Sequence, residues 1–178
     1  VFAIGELART IIDLPALARG VADGSYAMQV GAWGPGGGSP FSVRMLRGLH
    51  DNGAPIVVRD FLGVPLAIDP PPGGLATARH VQFINSGNTT GTPTFHLHML
   101  FDSLGNPLWR GITCDTMHTV ELPDLSTIGV DWLPHNQPTT WVAWSIKANA
   151  PYREFTYRWL GLAYWQSYAS QSFQARFP

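Results

Sequence analysis

The sequence predicts an all-β fold, an antiparallel β-sandwich of jelly-roll type with a short N-terminal helical segment. Three observations carry this. From Gly24 onward apolar residues alternate with period two, and turn signals recur every ten or so residues. No 10–15-residue helical pattern stands between the strands, as parallel sheets would require. A chain of 178 residues also exceeds the roughly 100 of an immunoglobulin-type sandwich, which leaves the longer strands and broad loops of a jelly roll.

The elements follow in order. Ile4, Leu7, Ala8 and Ile11 recur at helical spacing, Pro15 ends that stripe, and Ala16 to Arg19 before Gly20 read as a second short turn. Residues 1–23 are therefore expected to be a helical docking segment and 24–178 a sandwich domain. Tyr26, Met28 and Val30 alternate ahead of Gly31, and Phe41, Val43 and Met45 alternate after the glycine-rich loop 34–40. Ile56–Arg59 and Val64–Ile68 read as short strands, closed by Pro70-Pro71-Pro72-Gly73-Gly74. His80–Asn85 and Thr92–Phe101 flank Ser86–Gly91 as a hairpin, and Leu104-Gly105-Asn106-Pro107 turns the chain into Leu108–Arg110. Further strands are expected at Thr116–Leu122, Thr140–Ala148, Glu154–Tyr164 and Ser172–Phe177.

Composition limits the function. Charged residues are 13% of the chain against 45% apolar, which excludes disorder and predicts a neutral surface. With a net charge of −1, a single lysine (Lys147) and dispersed arginines, neither a nucleic-acid field nor a polybasic membrane patch can form. No apolar run reaches the length of a membrane-spanning helix. The single cysteine, Cys114, excludes an intrachain disulfide framework.

Candidate chemistry is sparse. His96 and His98 are two apart in a strand, so both imidazoles share a face and could hold one metal ion; the same pattern suits the wetter face of a half-buried sheet. No other cofactor is expected. Cys114 and His118 lack a nucleophile's signature, no G-x-S-x-G elbow exists, and glycines 36–38 lack the Lys and Ser/Thr of a phosphate loop. The chain is expected not to be an enzyme. Aromatics carry more information: Trp141 and Trp144, three apart, must lie on opposite faces of one strand, while Tyr157 and Trp159 share a face. From Trp109, Trp132 and Trp141, one or two are expected to be exposed for contact with a ligand or partner.

His96-x-His98-x3-Asp102 resembles the first metal motif of cupins, with Asp in place of the usual Glu. The same pair resembles the His-x-His of trimeric phage fibres and spikes, in which three chains supply six nitrogens to an axial ion. The run His80–Phe101, Ile128-Gly-Val-Asp-Trp-Leu-Pro134 and Thr140-Trp-Val-Ala-Trp-Ser145 resemble jelly-roll virion proteins: phage spike, fibre or decoration subunits. That resemblance implies a non-enzymatic structural or attachment subunit in a virion or outside the cell. It would form a homo-oligomer, a trimer among the options, with other virion proteins, and Ile4, Leu7 and Ile11 would dock it onto its neighbours. The rival readings are a carbohydrate-binding module that takes a host glycan on exposed Trp, a cupin-like metal enzyme, and an actinoporin-like pore former with its helix ahead of a sandwich.

Overall fold

The computed structural model describes residues 25–34, 39–50, 55–86, 91–116 and 118–178. Ile4, Leu7 and Ile11, expected as docking residues, lie outside them. Two antiparallel sheets make up the described chain. The larger has the order β1 (Tyr26–Trp33), β2 (Phe41–Leu49), β9 (Trp165–Ala175), β8 (Thr139–Ala148), β5 (Phe95–Phe101), β6 (Pro107–Cys114). The smaller has β3 (Pro65–Asp69), β4 (His80–Asn85) and β7 (Thr119–Glu121).

Strand β5 shows why this sequence forms a sheet. Its odd positions Phe95, Leu97 and Met99 point to one face and His96, His98 and Leu100 to the other, and most of the strand is buried. The register His98 opposite Ala143 and Leu100 opposite Trp141 carries this parity into β8, and Trp141 opposite Phe173 carries it into β9. The inner face so formed packs on the small sheet. Phe83, Val81, Val120 and Leu122 from the small-sheet side meet Leu100, Trp141, Ala143, Phe173 and Phe177 in one core. Each of the large side chains contributes about 1.5–3 kcal/mol by leaving water.

The opposite, outer face of the large sheet has a partial cover. Val43, Tyr168, Ile146 and Phe95 form one row across it, and over that row lie three 3-10 turns at Tyr152–Glu154, Tyr157–Leu160 and Leu162–Tyr164. Phe155 stands edge-on to Phe95 at 5.3 Å. Arg47 fastens the cover by donating to the carbonyls of Trp165 (2.6 Å) and Leu162 (2.8 Å).

Three expectations are corrected. His80–Asn85 and the strand within Thr92–Phe101 are not a hairpin: β4 pairs with β3 and β7, whereas β5 pairs with β6 and β8. Alternation shows which side chains a strand buries and is silent about its partner. Glu154–Tyr164 is the 3-10 cover rather than a strand, so Tyr157 and Trp159 do not share a strand face. Gly161 interrupts it, and its aromatics pack downward on the sheet instead of along a ladder. Ile56–Arg59 forms no ladder, since Pro55 lacks a donor and Asp60 takes a left-handed φ of 62°. The β5–β6 hairpin, by contrast, closes as expected. Gly105 supplies a φ of 85°, and Asp102 Oδ1 accepts the N–H of Leu104 (2.9 Å) and of Asn106 (2.8 Å).

Candidate functional site

The two histidines of β5 are fully buried between the sheets. Phe83 of β4 packs against both rings, with centroids 4.8 Å from His96 and 5.0 Å from His98. The Trp141 indole N–H, which can only donate, points at His98 Nδ1 at 3.4 Å. The His98 ring therefore carries its proton on Nε2, facing Thr113 Oγ1 at 3.4 Å. Ser145 Oγ donates to Asn85 Oδ1 (2.6 Å), so His96 Nδ1–H donates in turn to Ser145 Oγ at 3.1 Å. Burial holds His96 down to about 4, against a smaller opposing pull from the Asp115 carbonyl 3.3 Å from Nε2. Burial and the neighbouring His96 hold His98 down to about 3. Both rings are neutral at pH 7, and each has a ring nitrogen committed to a partner inside the protein, His96 Nδ1–H to Ser145 and His98 Nδ1 to Trp141.

This geometry lends the metal expectation for His96 and His98 no support. An ion on a threefold axis needs imidazoles that face outward, and these face the second sheet. Asp102, the third position of the cupin-like motif, is at the hairpin turn with its carboxylate committed to Leu104 and Asn106. Among the described residues no group of three or more His, Cys, Asp or Glu is placed to hold a metal.

The tryptophans divide differently from expectation. Trp141 is fully buried, a correction, because the parity that puts it opposite Trp144 turns it inward. Trp109 is half-buried and packs against the inter-sheet core, and half-buried Trp132 donates its indole N–H to the Pro123 carbonyl at 2.9 Å. The exposed tryptophan is Trp33, at 53%. Its signal in the sequence is its place immediately ahead of the glycine-rich loop 34–40, and in the structure it is the last residue of β1.

Two other polar groupings bring candidate catalytic side chains together. Asp69 accepts from the Thr77 hydroxyl and from the Thr77 N–H (3.2 Å), and His80 Nε2 lies 2.9 Å from its carboxylate. A nucleophilic hydroxyl must bond to the imidazole; here both groups bond to the carboxylate, which makes Asp69 an anchor for the 70–79 loop. Cys114 Sγ is 3.3 Å from Thr116 Oγ1, a contact between neighbours in one turn.

The remaining feature is the outer face beyond its 3-10 cover. Strand register lines up Trp33, Phe41, Ser170, Trp144, Leu97 and Ile112 in one row, with Ser172, Val142, Met99 and Arg110 in the next. Phe41, Trp144, Val142, Met99 and Ile112 are only half-buried, and Arg110 is the sole charged side chain in these rows. Phe41, Trp144 and Tyr168 contact one another, Phe41 edge-on to both and Trp144 stacked on Tyr168 at 5.6 Å. At the β6 end, Met99, Phe101, Pro107, Leu108, Trp109 and Arg110 line an open depression of about 270 Å³.

Comparison with protein families, with characterised proteins and with solved structures finds no match to this chain.

Proposed function

We propose that this protein is a structural subunit of a larger assembly, a virion spike, fibre or decoration protein that acts through protein–protein contacts. The observation that carries the reading is the half-open aromatic and aliphatic rows of the outer face, with one charge among them. Six strands spaced about 4.8 Å apart and some four residues of strand length give this area roughly 300 Å². A soluble monomer's largest apolar patch reaches about that size, and patches of this kind often serve as contact sites. The jelly-roll winding belongs to the same proposal. It is supported by the path of the chain, which passes between the sheets after β2, β4, β6 and β7.

The test is the mass of the native protein by sedimentation velocity, with Met99→Glu and Val142→Glu as variants. A multimer that dissociates when these half-buried positions are charged is the expected result. A wild-type monomer at all concentrations overturns the proposal. One observation favours a carbohydrate-binding reading, the exposed Trp33 ring lying over Gly31, where a Cβ would come within 2.2 Å of the indole. A glycan array on which Trp33→Ala abolishes binding would move the assignment there.

A further inference from the structure

Among the described residues the two sheets have four edge strands, β1, β6, β3 and β7, and these are not equal. A sheet edge exposes unpaired N–H and C=O groups, and proteins that stay monomeric protect such edges with charge, proline, bulges or short length. Edge strand β6 contains Pro107 and Arg110. Edge strand β3 has five residues that begin with Pro65 and end with Asp69, and edge strand β7 has three, ending in Glu121. Strand β1 differs from all of them. Its eight residues, Tyr-Ala-Met-Gln-Val-Gly-Ala-Trp, include no charge and no proline, and among the described strands it pairs only with β2. Its one irregularity falls between Tyr26 and Met28, leaving Met28–Trp33 in unbroken register.

We infer that β1 is a self-association edge, joined antiparallel to β1 of a second copy so that the two six-stranded sheets become one. A second copy is the occupant that this edge suits, because an uncharged strand meets itself without repulsion and an isologous contact uses one patch twice. The contact rests on the assembly reading above but on a different surface. Its geometry is constrained. A twofold axis normal to the sheet puts outer face beside outer face, so opposed residues must have the same parity and the axis must pass at a residue. Val30 satisfies this while keeping the regular part of the strand in overlap: Met28 then opposes Ala32 of the second copy, Gln29 opposes Gly31, and the bulky Trp33 opposes the small Ala27. Pairing of β1 with the guarded β6 edge, which a cyclic trimer would need, brings Pro107 and Arg110 into the ladder.

The experiment uses the full chain. Ala27 and Ala32 are exposed, so Ala27→Lys/Ala32→Lys leaves the sandwich intact while placing charges along the edge; Ala27→Ser/Ala32→Ser is the control. The expected result is that the lysine variant loses the twofold step in mass while its thermal unfolding matches that of the serine variant, which keeps it. In a Cys114→Ser background, Val30→Cys should also form a disulfide-linked dimer under mild oxidation. A lysine variant that keeps the wild-type mass, or a wild-type trimer, overturns the edge contact and leaves the assembly reading standing. A monomeric wild type overturns both.

Discussion

Lowering the pH should unfold this protein through its two buried histidines, and the size of the effect follows from their surroundings. An unfolded histidine takes up a proton near pH 6.5. In the fold His96 does so only near 4 and His98 near 3, because a charged ring between the sheets would lose its hydration. Protonation of His98 at Nδ1 would also set an N–H against the Trp141 N–H. With folded values below the unfolded one, the unfolded chain binds more protons between pH 6.5 and 4, so stability is fully present above 6.5 and falls as the pH drops through that window. At pH 4.5 the two histidines together cost on the order of 5 kcal/mol, at 1.36 kcal/mol per pH unit. A typical domain has only about 5–15 kcal/mol to lose. The assay is urea unfolding followed by tryptophan fluorescence at pH 7 and pH 4.5, for wild type and for His96→Asn/His98→Gln. Those amides can replace the ring donors and the acceptor without titrating. The variant should be the less stable protein at pH 7 and show a pH dependence flatter by about 5 kcal/mol. Equal pH dependence in the two proteins would refute the neutral-pair assignment.

Truncating Trp141, which is fully buried and spans the contact between His98 and Phe173, should cost about 3–5 kcal/mol, read as a lowered urea midpoint in Trp141→Ala. Asp69→Ala should cost about 1–3 kcal/mol, because it strands the Thr77 N–H and the His80 ring, and it should open the 70–79 loop to limited proteolysis before the rest of the chain. The outer-face charges Met99→Glu and Val142→Glu should abolish association with little change in thermal unfolding, since both positions already touch water.

The candidate sites were only partly legible in the sequence. That Trp141 and Trp144 separate to opposite faces, and that His96 and His98 share one, follows from the two-residue period alone. Which face is the inside does not. His96 and His98 looked like surface ligands because imidazoles seldom sit at full burial. They are inside because Phe83 from the other sheet packs on them and Ser145, Trp141 and Thr113 meet ring nitrogens. The unguarded edge β1 was written in its composition, eight residues without charge or proline, but it becomes an edge only once the sheet order is known.

The sequence by itself determined the β class, the parity of the strands and most of the turns, because these depend on side chains two residues apart and on the local demands of glycine, proline and Asx positions. The tertiary structure alone decided partners: that β4 leaves β5 for a second sheet, that 152–164 is a cover rather than a strand, and that the histidines are enclosed. Those choices depend on contacts between residues far apart in the chain, such as Phe83 with His96 and Arg47 with Leu162, whose energies a local pattern does not encode.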